Sequence, residues 1–155
     1  MMIRSHPSLP SRPIDLLLRQ LGLDHLPGAE QPGTNCTLKV GAIHIELIES
    51  DQHGLTLQCF PGVLAEPTIA ALSILLAENH ARGDLPLISV SLVAEAPSNV
   101  QVWSRLSTKH SSTEVLVNWF VCFNELVQAL HCWLDEGAPA FSAMSDGDTP
   151  AALLH

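Results

Sequence analysis

Eight histidines and four cysteines are the side chains here best equipped for chemistry. His44-Ile45-Glu46 matches the His-x-Glu half of a zinc deaminase signature, but no Pro-Cys-x-x-Cys completes it. Alternation along a strand puts His44 and Glu46 on one face with no cysteine at ligand spacing. His131-Cys132 would present two ligands from a helix, yet adjacent helical residues diverge by about 100° and do not easily chelate one ion. A buried Cys132 beside a partly exposed His131 is the plainer reading. Cys59 or Cys122 could be a nucleophile paired with a histidine, but neither has a cationic neighbour in sequence to lower its pKa. The cysteines, at 36, 59, 122 and 132, form no Cys-x-x-Cys pair, and three lie in apolar segments where a thiol packs as a small hydrophobe. The expectation is free thiols in a reducing compartment and no metal or cofactor. Gly-x-Ser-x-Gly, a phosphate loop, Gly-x-Gly-x-x-Gly and His-Glu-x-x-His are all missing. Asn35-Cys36-Thr37 is a glycosylation sequon without a signal peptide to give it meaning. An enzyme would need His44, Glu46 and His53 to converge from separate segments.

Composition narrows the partners. The chain has 155 residues, 46% of them hydrophobic, enough for one domain with a real core. Sixteen acidic residues against seven basic ones give a formal charge of −9. Such a surface repels nucleic acid and anionic membrane. Tyrosine is absent, so a base-stacking surface is not expected either. No run approaches the length of a transmembrane helix. MMIRSHPSLPSRP has no apolar stretch after its arginines, which argues against a secretory signal and for a cytoplasmic protein.

The elements that would position these residues follow from periodicity. Residues 1–12 read as a disordered segment, 13–137 as the folded domain and 138–155 as a flexible acidic tail. Pro13 fits the first position of a helix of about ten residues that Gly22 ends. Residues 26–33 are a loop. Cys36, Leu38 and Val40 alternate with Thr37 and Lys39, Gly41 turns the chain, and Ile43, Ile45 and Leu47 alternate with His44 and Glu46. The turn Asp51-Gln52-His53-Gly54 leads to Leu55, Leu57 and Cys59, a third strand that Pro61-Gly62 breaks. A second helix runs from Pro67 to about Ala81. Residues 86–95 and 100–107 are strands, joined by the turn Pro97-Ser98-Asn99. Ser111 and Glu114 form a capping box for a last long helix, with Leu116, Trp119, Phe120, Phe123, Val127, Leu130 and Leu134 at helical spacing, stopped by Gly137 and Pro139. The order is αβββαββα, an α+β domain with a twisted antiparallel sheet packed by helices.

Three surfaces are candidates for partners. On the second helix, Ile69, Leu72, Leu75 and Leu76 form a stripe for the sheet, while Ala70, Ile74, Ala77 and Ala81 form a second stripe of mainly small residues suited to a second copy of the chain. An intramolecular helix contact would also use it. Trp103 lies on the Gln101/Arg105 side of its strand, opposite Val100, Val102 and Leu106, as an anchor for another chain would. The first helix carries Ile14, Leu16, Leu17, Leu18, Leu21 and Leu23, more apolar surface than one core contact needs.

In size, acidity and order of elements the chain resembles the type III secretion chaperones of the Tir-chaperone (CesT-type) family. The resemblance covers roughly 13–136. It rests on IDLLLRQLGL, on the meander CTLKVGAIHIELIES…GLTLQCFPGVL, on ALSILLAENHARGDLPLISVSLV and on NWFVCFNELVQALHCWL. Within the family it looks most like the general effector chaperones of plant-pathogen Hrp-type systems, with a Pro-rich start and long tail that depart from compact single-effector chaperones. The resemblance implies a non-enzymatic cytoplasmic homodimer. It would hold the N-terminal segment of secreted effectors extended and deliver it to the secretion-system ATPase. An extended segment would add to the first strand, Cys36–Val40, as an open edge. Effector-binding residues would be Ile14, Leu17, Leu18, Leu21, Leu38 and Trp103. The dimer would use Ala70, Ile74, Ala77 and Ala81 with Ile88 and Val90 of the fourth strand. A small dimeric ligand-binding or regulatory protein is the alternative, and a small enzyme a more distant one.

Overall fold

The computed structural model describes residues 12–23, 35–50, 54–109 and 111–136. All but Arg12 of the disordered start, the 26–33 loop, most of the 51–54 turn and the acidic tail expected from the sequence lie outside them, as does His53. The elements are α1 (Pro13–Gln20), β1 (Asn35–Val40), β2 (Ile43–Ser50), β3 (Gly54–Val63), α2 (Ile69–Ala77), β4 (Ile88–Leu92), β5 (Asn99–Ser107) and α3 (Thr113–Asp135). Their order is the expected αβββαββα. The five strands form one antiparallel sheet in the order β1-β2-β3-β5-β4. That leaves β1 and β4 as its edges.

Alternation makes the sheet two-faced. Leu38, Ile45, Leu57, Val90, Val102 and their inward neighbours are buried, whereas Lys39, His44, Glu46, Trp103 and Arg105 are exposed on the other side. The helix α3 covers the inner face along β3 and β5. Its Leu116, Trp119, Phe120, Phe123, Val127, Leu130 and Trp133 are buried. Fully burying one such side chain is worth about 1.5–3 kcal/mol, so this one helix supplies much of the core. The helix is long and apolar enough to cross a membrane by length and composition, contrary to the expectation from the sequence. Its apolar stripe is instead packed on the sheet.

Four local expectations are corrected. The helix α3 is capped by Ser112, whose side chain accepts from the Val115 amide at 3.2 Å. Ser111 donates to the Ser107 carbonyl at 2.6 Å, so there is no Ser111–Glu114 capping box. Pro61-Gly62 does not break β3. The strand runs on to Val63 through a register shift between Cys59 and Gly62, where a bulge tolerates proline's missing N–H. Leu134 packs on Gly62, where a Cβ would lie 3.2 Å from the leucine side chain.

The second helix is shorter than expected. Thr68 caps it by accepting from the Ala71 amide at 3.1 Å, which leaves Pro67 outside. It ends at Ala77 because Asn79 turns its side chain onto β4, donating to the Val90 carbonyl at 2.9 Å and accepting from the Val90 amide at 2.7 Å. Finally, the thiol at the end of α3 is the reverse of the expectation, with Cys132 exposed and His131 half-buried.

Candidate functional site

The edge of the sheet is where an extended chain can be received, and the two edges differ. On β4 the Asn79 amide occupies both backbone groups of Val90, much as one residue of a further strand would. On β1 the Gln128 side chain donates to the Val40 carbonyl at 3.0 Å, at the very end of the strand. Among the described residues nothing hydrogen-bonds the free edge over Cys36–Lys39. Gly41, at φ 62°, makes the tight reversal that sets β1 against β2. Inward, β1 presents Cys36, Leu38 and Val40, and outward Thr37 and Lys39. Burial pushes the Cys36 thiol up from its ordinary value.

The first helix is fixed at its base against β2, the strand next to this edge. It packs on β2 and α3. Arg12, its N-cap, makes no side-chain cap. The carboxylate of Glu49, from β2, accepts instead from the Ile14 amide at 2.9 Å. An acid at that end also suits the helix dipole. Arg12 and Asp15 pair at 3.1 Å beside it. Between α1 and the start of α3 lies an open hollow lined by Pro13, Leu16, Leu116, Thr108, Lys109 and Ser112. Its walls are apolar, with a cation and hydroxyls at the rim.

The effector-binding residues expected from the sequence are only partly brought together. Ile14, Leu17 and Leu18 are buried in the core of their own chain, and Leu38 with them. They position α1 and β1 and are not themselves free to receive a segment. Leu21 is partly buried, as are Leu16 and Leu23, all packed against the core. Choosing Leu16 over Leu17 needed the direction of α3, which no local pattern carries. Trp103 is separated from this region, on the outer face and two strands further on from β2.

The surface expected between copies is redrawn in the same way. Ala70, Ala77 and Ala81 are exposed and Ile74 is half-buried. Ile69 and Leu76, expected to face the sheet, are 85% and 67% exposed. Leu75 is buried as expected, with Ala71 beside it. The shortened helix is rotated so that Ile69, Ala70, Leu76 and Ala77 face outward. Ile88 and Val90 point into the core, because they oppose Ser104 and Val102 on the inner side of the ladder.

The chemically equipped side chains do not form a catalytic group among the described residues. His44, Glu46 and His131 line one shallow hollow with Gln58, Phe60 and Pro61. His131 donates from Nδ1 to the Pro61 carbonyl at 2.7 Å, which ties α3 to the bulge of β3. No set of three or more His, Cys, Asp or Glu among the described residues could hold a metal ion. Cys59 is buried, and burial, then the charge of Glu46, pushes its thiol up to about 11. That makes it a poor nucleophile.

No protein-family model matches the chain, and no curated protein does. Solved structures match well in fold. A chain of the heterodimeric ExoU–SpcU complex from the type III secretion system of Pseudomonas aeruginosa aligns at TM-score 0.60 with 16% identity, over 79% of this chain and 98% of that one. The type III secretion chaperone SycH of Yersinia pestis, in complex with a stable fragment of YscM2, aligns at 0.57 with 15% identity, over 76% and 96%. The HopA1–SchA chaperone–effector complex aligns at 0.57 with 13% identity, over 76% and 89%. At these identities the likeness is one of fold, and the α+β architecture read from the sequence is the one these complexes share.

Proposed function

We propose that this chain is a non-enzymatic chaperone of type III secreted effectors. It holds an N-terminal effector segment extended against β1 and beside α1. The observation that carries this reading is the asymmetry of the sheet edges, with β4 occupied by Asn79 and β1 hydrogen-bonded by none of the described residues over Cys36–Lys39. The fold shared with SycH and with the HopA1–SchA complex supports the same reading. Main-chain pairing to an edge supplies affinity with little demand on sequence, which suits several cargoes. Side chains of the client facing inward would meet the partly buried leucines at the end of α1, Leu21 and Leu23. The client is kept unfolded because its backbone is already paired.

Two copies would associate through the outward face of α2, with β4 beside it. The loaded dimer would work in the bacterial cytoplasm and pass its cargo to the secretion-system ATPase. Calorimetry with effector N-terminal fragments tests the binding step. A fragment N-methylated on alternate backbone amides cannot pair on one side. We expect one alternating set to abolish binding and the other to leave it intact. Equal binding by both methylated fragments and the parent fragment would rule out capture by the edge.

A further inference from the structure

The exposed aromatic rings of the described chain are gathered on one surface. Trp119, Phe120, Phe123 and Trp133 are buried. Phe60 and Trp103 are 49% and 42% exposed, and both stand on the outer face of the sheet. Gln58 opposes Trp103 in the β3–β5 ladder. Phe60, two residues on, lines a hollow with Gln58, His44 and Glu46. Phe60 opens the bulge only two residues beyond the partner of Trp103, so a single extended segment can span both rings.

Charge on this face runs against the rest of the molecule. Lys39 on β1 and Arg105 on β5 flank it. Glu46 is its one carboxylate among the described residues, since Glu49 is turned to the helix α1. Two cations therefore face one acid in a chain of formal charge −9. An acidic segment repelled by most of this protein would find its complement here. Aromatic rings at the middle with cations at the rim are also the composition of binding hot spots.

We propose that the outer face of the sheet is a second docking surface, for an acidic extended polypeptide segment carrying apolar or aromatic anchors. The rings take the anchors, and Lys39 and Arg105 set register and exclude basic segments. The site is distinct from capture at β1, because it uses side chains of the outer sheet face and no edge amides; Lys39 is the one residue that stands on both, so Arg105→Glu and Trp103→Ala separate the two.

The test uses an alternating Glu–Leu peptide and an alternating Lys–Leu peptide as probes. Trp103 is the exposed one of three tryptophans, so its fluorescence reports occupancy of this face. We expect saturable binding of the Glu–Leu peptide with a change in that fluorescence, and little binding of the Lys–Leu peptide. K39E/R105E should weaken Glu–Leu binding by roughly tenfold and favour the Lys–Leu peptide, as reversal of complementary charge does. Trp103→Ala should weaken it with the charges in place, measured by calorimetry. Circular dichroism must show each variant folded, and exposed positions make that the expected result. No binding of the Glu–Leu peptide, equal binding of both peptides, or undiminished Glu–Leu binding by folded K39E/R105E would each overturn the proposal.

Discussion

Ser104 occupies an inward position of β5 that the alternation Val100, Val102, Leu106 reserves for an apolar side chain. It is the buried polar residue of the described core. Trp119 donates from its indole nitrogen to the Ser104 hydroxyl at 2.8 Å, and that hydroxyl donates to the Leu87 carbonyl at 2.8 Å. The relay joins α3, β5 and the entry to β4. Ser104→Ala should leave a buried donor and a carbonyl unpaired and cost about 1–3 kcal/mol in denaturant unfolding. An unchanged midpoint would show that the relay carries no stability. The cysteines give a second prediction. The folded state holds the Cys59 proton more tightly than the unfolded chain does, since burial raises the thiol from 9.0 to about 11. Its contribution to stability is therefore whole below pH 9 and is lost as pH rises towards 11. In Cys59→Ala that alkaline loss should be smaller. In native protein, alkylation should reach the exposed Cys132 first and Cys59 only on unfolding, read by mass spectrometry. The pairing of Ser104 with Trp119 was not legible in sequence, because it joins residues fifteen positions apart through the packing angle of α3.

Elements were legible where a strong period met a clear stop. Gly41 and the alternation around it fixed the β1–β2 hairpin, and the aromatic run fixed α3. The reading failed where a long-range contact ended an element. Asn79 is drawn to β4, so α2 stops at Ala77, and its exposed face adds Ile69 and Leu76 to Ala70 and Ala77 while Ile74 is half-buried. Periodicity alone could not choose between these faces, since α2 is apolar nearly all round. If that face joins two copies, Leu76→Asp places an unpaired charge in the contact at a cost of several kcal/mol. Light scattering at micromolar concentration should then find wild type dimeric and Leu76→Asp monomeric but folded. A monomeric wild type would remove α2 as an interface. The helix α1 offers a milder test. Glu49→Ala removes the acceptor of the Ile14 amide and should cost about 0.5–2 kcal/mol, the range of a lost cap. Binding of client fragments should weaken with it if α1 is the wall of the groove.

At the scale of the molecule, α1 and α3 pack on one face of the sheet, and none of the described helices covers the other. The inner face builds the core from α3, and the outer face is left with Phe60, Trp103 and a few charges. Fold class was readable because each strand's alternation and each helix's period agree on one inner side. The candidate binding surface was readable only in outline. Leucines of α1 were assigned to the surface beside β1, but Leu17 and Leu18 proved to be core, so Leu17→Asp would test folding and Leu16→Asp tests binding. The account rests on β1 being the edge that receives cargo. Amide hydrogen exchange, with and without an effector N-terminal fragment, reads this directly. Bound fragment should slow exchange at alternate amides within Asn35–Val40 and leave β4 as it was. Protection confined to β4 or α2, with β1 unchanged in a saturated complex, would contradict it.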